Sequence, residues 1–235
     1  YAFGPSGIIF ALVLTFIPHL AIFIKEFQNT KINFALLKPR KNFIINNYLM
    51  KLSGGFGGQI DKIILAPLLG FSLLGNYSLA IQIFTVLIIF SSVVFKYLLP
   101  QDASGASNRN LKKLTIMTAI GISIFGILVL PKLITLVFPE FVEAADAIAI
   151  MSIAVIPEAI TMLYSSKMLG KEKSKVILAA KLLALSIIVI GFISLGPILG
   201  IIGLAIIFVV AITLQAAMLA IADKIENGEQ NVKQY

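Results

Sequence analysis

The sequence predicts an all-α, polytopic membrane protein with about seven transmembrane helices, and three observations carry that prediction. Hydrophobic residues make up 59% of the 235 and charged residues only 13%, roughly half the charged share of an ordinary soluble domain. A soluble chain of this length cannot hide so much apolar surface inside one core. The apolar residues also gather into runs of about 20, the length at which a helix crosses a ~30 Å hydrocarbon layer with its backbone bonded internally. Finally, the basic residues alternate with these runs in a pattern that fixes a topology.

The runs cover approximately 5–24, 47–71, 77–97, 114–136, 147–168, 177–196 and 201–222. Gly75-Asn76, Pro100, Pro139 and Gly196-Pro197 punctuate the boundaries, as residues that break helices or favour turns. The expected organisation is one helix over 1–24, a linker over 25–46, a six-helix lobe over 47–222 and a polar tail over 223–235. The linker "KEFQNTKINFALLKPRKNFIIN" is basic with interspersed apolar residues. It reads either as a surface-lying helix or as an ordinary basic loop, because Pro39 breaks any long helix.

With the first run crossing from outside to inside, all but four of the 19 basic residues fall on the cytoplasmic side or in the tail. The external loop around "PEFVEAAD" carries only acids, Glu140, Glu143 and Asp146. This is the charge asymmetry of a protein in the cytoplasmic membrane with its N-terminus outside and its C-terminus inside. The chain opens at Tyr1 with no Met and no basic region before its first apolar run, so no signal peptide is read and a fragment of a longer chain is expected.

Cysteine is absent and His19 is the single histidine, which removes thiolate chemistry and multi-histidine metal clusters. No metal and no cofactor are expected. The net charge of +8 points to anionic membrane lipids rather than nucleic acid, since the lysines form no aromatic-interleaved patch.

The four remaining basic residues are Lys51, Lys62, Lys132 and Lys181. Lys132 and Lys181 lie near span ends, where a long stem can snorkel to the headgroups. Asp61 and Lys62 fall near mid-membrane, where an ionisable group costs about 2.5–3.5 kcal/mol and must face protein or water. Asn47, Lys51, Gly55, Gly58 and Lys62 share one helical face, with Met50, Gly54, Gly57 and Asp61 on the adjacent stripe, by helical periodicity. Such a face offers a cationic, sterically empty groove, although Gly54 and Gly58 also make a GxxxG packing pair. Glu158, beside Pro157 in "IAVIPEAITMLY", is a counter-ion for Lys62, a coupling carboxylate, or a neutral hydrogen-bonded carboxyl within the bundle. Gln59, Gln82 and Gln215 read as interhelical hydrogen-bonding groups.

Four stretches carry a family likeness. "DKIILAPLLGFSLLGNYSLAIQIFTVL", "VFPEFVEAADAIAIMSIAVIPEAI", "LGKEKSKVILAAKLLAL" and "GPILGIIGLAIIFVVA" resemble, in that order, the C-terminal half of polysaccharide and O-antigen flippases. These belong to the multidrug/oligosaccharidyl-lipid/polysaccharide exporter superfamily. The resemblance implies the sixth through twelfth spans of a two-lobed transporter, with the N-terminal lobe as its missing partner. It also implies a polyprenyl- or dolichyl-linked glycan as cargo, with basic cavity residues meeting the pyrophosphate; by that likeness Lys51, Asp61 and Lys62 are candidates. The expected substrate-contacting set is Lys51, Gly55, Gly58, Asp61, Lys62 and Glu158. A drug or cation antiporter of the same fold would want more acid than base in its cavity. A seven-span receptor or retinal protein fits the span count, but the last span has no lysine for a Schiff base and the chain has no Trp. A membrane glycosyltransferase or polymerase would need loop carboxylates or an arginine cluster, and no enzymatic activity is expected.

Overall fold

Lipid offers no partners to backbone N–H and C=O groups, so a chain this apolar must satisfy them locally as helix. A computed structural model describes residues 4–29, 38–106 and 108–232, with side chains omitted at 4–6, 8–9, 11–13, 29, 54–62 and 226–232. The described residues form helices and turns with no strand. Two compact units result, Tyr1–Lys41 and Asn42–Tyr235.

In the first unit, α1 (Gly4–Asn29) carries Pro18 in its interior. Its described side chains are exposed and largely apolar, and Phe23 stacks on Phe27 with ring centroids 5.9 Å apart. The His19 ring pairs through Nδ1 with the Thr15 carbonyl at 3.0 Å. Residues 30–37 of the expected linker lie outside the described residues; its start, 25–29, continues α1, and its end is a 3-10 turn at Lys38–Arg40 followed by α-helix from Lys41.

The second unit holds α2 (Lys41–Leu87) from its second residue on, α3 (Ile89–Ala103), α4 (Arg109–Leu128), α5 (Leu130–Val137), α6 (Val142–Ser152), α7 (Val155–Gly170) and α8 (Ser174–Val232). Two of these are helices folded at a glycine. Gly70 in α2 has φ 83° and ψ 167°, and Gly200 in α8 has φ 58° and ψ −144°. Both lie in or next to a backbone region that glycine alone enters cheaply. The limbs of α8 run antiparallel, because a Cβ built at Gly191 would meet Ile207 and one at Gly196 would meet Leu204.

Among the described residues, three helices are long and apolar enough to cross a membrane: Ile63–Leu87, Arg109–Leu128 and Ser174–Ile225. A fourth is added if Pro139–Ser152 and Val155–Gly170, bent by 47°, form one span. The expected count of seven is therefore not what helix length and composition give. One reason is the fold at Gly200: unbroken, the 52 residues of Ser174–Ile225 would stretch ~78 Å, more than twice the hydrocarbon thickness.

Two expected boundaries are also corrected. Gly75-Asn76 is not a turn but lies within the second limb of α2. Asn76 is buried there and donates to the Ser72 carbonyl at 3.2 Å and to Glu143 at 3.5 Å. Gly196-Pro197 does not end its helix either; proline removes one N–H but leaves the chain in helical φ, and reversal waits for Gly200.

Side-chain pairs give the directions of the remaining elements. Asn46 meets Ser174 at 3.3 Å, Lys181 meets the Met50 carbonyl and Leu69 packs at Gly196, so the first limbs of α2 and α8 are parallel neighbours. Asn76–Glu143, Ser92–Met162 and Ser166–Asp102 align the path from residue 71 through α3 with that of α6 and α7. Lys112–Asp102 and the approach of Gly126 to Ser152 and Leu87 send α4 the opposite way.

One end of the bundle thus gathers Lys96, Arg109, Lys112, Lys113, Lys167, Lys171, Lys173, Lys175 and Lys224. The other gathers Glu140, Glu143 and Asp146 together with Lys132. The core nearer the acidic end holds Tyr77 against Phe192 (5.4 Å, edge-on) and Phe84 against Phe208 (4.9 Å, edge-on). Ala144, Ala145, Ala147, Ala154 and Ala159 are buried along α6 and α7, small residues that let helices approach where lipid supplies no hydrophobic drive. Outward the surface is greasy: Phe71 is 81% exposed and Leu136 80%, which fits a lipid environment.

Candidate functional site

The break between α6 and α7 positions the first charged group. Pro157 has no N–H to bond the Ile153 carbonyl, and the chain bends there while Glu158 N still bonds the Ala154 carbonyl at 2.9 Å. A fresh helix N-terminus results, and Glu158 sits in its first turn, where the helix dipole favours a negative charge. Gly170, twelve residues further on, marks the basic end of α7, so Glu158 lies ~18 Å inside the bundle.

Glu158 faces a cavity of about 700 Å³ lined by both limbs of α8, the first limb of α2, α3 and α7. Three lysines reach it: Lys51 from α2, Lys96 from α3 and Lys181 from α8. Asn47, Ser92, Thr161, Ser165 and Gln215 add neutral polar groups, and Met50, Phe95, Met162 and Ile212 add apolar wall. With three ammonium groups against one carboxylate, the cavity attracts anions.

Glu158 and Lys181 interact electrostatically across this space without an ion pair or a hydrogen bond to Glu158 among the described residues. Lys181 Nζ instead donates to the Met50 carbonyl at 3.2 Å. That carbonyl also accepts from Ser53 Oγ at 3.0 Å. Thr161 is 5% exposed and its hydroxyl has no partner among the described residues.

Around the mouth, two acids lock the basic end. Asp102 accepts from Lys112 Nζ at 2.7 Å and from Ser166 Oγ at 2.6 Å. Asp223 pairs with Lys167 at 2.6 Å. A Cβ at Gly170 would stand 2.7 Å from the Asp102 carbonyl carbon, so α7 and the end of α3 touch backbone to backbone. These pairs hold the helices whose side chains shape the cavity.

Of the expected site residues, the structure places Lys51 and Glu158 in the lining of one cavity. Gly55, Gly58, Asp61 and Lys62 lie on helical backbone over 54–62, but their side chains fall outside the described residues. Lys181 is corrected: it does not snorkel towards headgroups but turns to the Met50 carbonyl and the cavity. Lys96 and Thr161 were not expected there, and Gln215 lines the space instead of simply bridging helices. A helical period marks which residues share a face, whereas the partner of that face comes from helices more than a hundred residues away. No protein-family model, no curated protein and no solved structure matches the chain.

Proposed function

We propose that this chain is the C-terminal portion of a membrane transporter that carries a lipid-linked anionic oligosaccharide across the cytoplasmic membrane by alternating access. The observation that carries the reading is the lysine-rich cavity, lined by Lys51, Lys96 and Lys181 and reaching to Glu158. An anionic headgroup suits three ammonium groups, and a polyisoprenoid tail can remain in lipid between helices. The packed aromatic core towards the acidic end supports an arrangement open at the basic end and closed at the other.

In this reading each helical segment, 4–29, 41–69, 71–103, 109–137, 142–170, 174–199 and 201–225, is one span. Folds at Gly70 and Gly200 and the bent α6–α7 pair support that count. The basic end faces the cytoplasm, and a preceding lobe completes the cavity. A drug or cation antiporter is the second reading, favoured by Glu158 alone, and the excess of base over acid weighs against it.

The test is translocation of a lipid-linked oligosaccharide by the full-length protein in proteoliposomes. Wild type should move it, and Ser165→Trp, which fills the cavity from α7, should abolish movement while the protein stays folded. Transport that ignores the tryptophan, or a protein that moves only cationic drugs, overturns the reading.

A further inference from the structure

Helix α7 is two-faced. Glu158, Thr161, Met162 and Ser165 line the central cavity, whereas Ile160, Leu163, Tyr164 and Lys167 line a separate cleft of about 480 Å³. Both sets follow i, i+3, i+4 and i+7, and a shift of two residues turns the second ~200° from the first. The cleft therefore lies on the far side of α7 from the cavity. Its other walls are Lys112 and Ile116 from α4 and Ala220 and Asp223 from α8. α7 packs on both of those helices and floors the gap between them. Met117 of α4 and Ile221 of α8, next to the lining residues, are exposed, a greasy rim that opens towards lipid rather than into the bundle. The lining is also graded along the helix axes. Lys112, Lys167 and Asp223 stand at the basic end, and Ile116, Leu163, Ile160 and Ala220 lie further in. The apolar wall reaches ~10 Å inward from Lys167 to Ile160.

We propose that this cleft is a lateral site for one membrane phospholipid, phosphatidylethanolamine, held apart from the cargo cavity. Its phosphodiester lies between Lys112 and Lys167, its ammonium against Asp223, and an acyl chain along Ile116, Leu163 and Ile160. Two ammonium groups and one carboxylate line the cleft, the complement of a headgroup that carries one phosphate and one ammonium. Lys112 Nζ gives a proton to Asp102 at 2.7 Å and Lys167 Nζ pairs with Asp223 at 2.6 Å. Each ammonium has three protons, so both lysines keep a donor for phosphate oxygens. A carboxylate likewise has lone pairs for more than one donor, and Asp223 can take the lipid's ammonium beside Lys167. Phosphatidylcholine brings the same phosphate, but its methylated nitrogen has no N–H for Asp223. Phosphatidylglycerol brings no cation and sets its phosphate against the Asp223 charge uncompensated. Basic pockets between transmembrane helices at the cytoplasmic face hold lipid headgroups by this chemistry. The site goes beyond the transporter reading and does not require it, since it needs only the basic end at a membrane surface.

Native mass spectrometry of the full-length protein tests the site, with titration in detergent by phosphatidylethanolamine, phosphatidylcholine and phosphatidylglycerol of one acyl composition. Phosphatidylethanolamine should bind at least fivefold tighter than either of the others. Asp223→Asn should erase its advantage over phosphatidylcholine, a ratio within one protein that a general loss of stability does not move. Lys112→Gln should weaken all three lipids about fivefold, and Lys112→Arg by less than twofold, which separates charge from misfolding. Ala220→Trp, which fills the cleft from α8, should abolish binding, whereas Ser165→Trp on the opposite face of α7 should leave it intact. Equal affinity for the three headgroups, or binding indifferent to Ala220→Trp, overturns the site. Tightest binding of phosphatidylglycerol would show recognition of an anion alone and overturns it as well. Headgroup-selective binding without glycan translocation would remove the transporter reading and keep the site; translocation by a protein with no headgroup preference would do the reverse.

Discussion

The Lys181 ammonium is bonded to the Met50 carbonyl at 3.2 Å, which ties the charge of one helix to the backbone of its parallel neighbour. A helical carbonyl already has its own intrahelical donor, so the lysine is held without being fully used. Glu158 feels that charge from across the cavity.

Lys181→Met keeps the stem and removes the charge, leaving Glu158 without its electrostatic partner. The variant should unfold at lower temperature, and adding Glu158→Gln should recover part of the loss. A double-mutant cycle by thermal unfolding in detergent should return a coupling of about 0.5–3 kcal/mol. Additive effects would show that the two groups do not interact.

Glycines at the two folds and on the lipid face should respond in opposite directions. Gly70→Ala and Gly200→Ala meet open space but force a Cβ into a positive-φ backbone, at about 1–3 kcal/mol each. Gly121 is exposed within α4, has ordinary helical backbone, and a Cβ there meets nothing within 4 Å. Gly121→Ala should therefore be neutral or stabilise by about 0.5–1 kcal/mol. Equal responses at Gly70, Gly200 and Gly121 would remove the conformational explanation for the folds.

A close approach makes a third glycine test. A Cβ at Gly126 would collide with Ser152 Oγ, stand 2.7 Å from Ser152 Cβ and 3.2 Å from Leu87 Cδ1. Gly126→Ala should destabilise by about 1–3 kcal/mol through overpacking. Ser152→Gly in the same chain clears both serine atoms and should restore most of that stability, as read by unfolding in detergent.

Helical character and the lipid-facing surface were legible in the sequence, because apolar runs and their length depend on local composition. Lys51 and Glu158 were legible as costly groups for the same reason. The chain reversals were not. Gly-Asn and Gly-Pro pairs spell turns locally, yet Asn76 lies in helix, buried, with its amide bonded to the Ser72 carbonyl and 3.5 Å from Glu143, 67 residues away. Gly70 and Gly200 carry no mark beyond being glycine until their shared Pro-x-Leu-Gly context is compared. Lys181 was misread because its distance from a span end measures how far it could reach outward. The Met50 carbonyl that turns it inward is 131 residues distant in sequence.

Membrane orientation is open to a direct measurement because these 235 residues contain no cysteine, so in a background free of other thiols a single introduced cysteine reports one position. At the basic end, Asp102 and Asp223 are taken up by Lys112 and Lys167. Lys113, exposed at the start of α4, belongs to the basic set that can face anionic headgroups. At the other end Glu140 is exposed in the short 3-10 turn Pro139–Phe141. If charge sets the topology, Glu140→Cys should react with a membrane-impermeant maleimide on intact cells. Lys113→Cys should react only after the membrane is opened. The opposite pattern would invert the protein in the membrane and place the cavity mouth outside. Labelling of both thiols on intact cells would mean that α4 and α5, which separate the two positions in the chain, do not cross the bilayer.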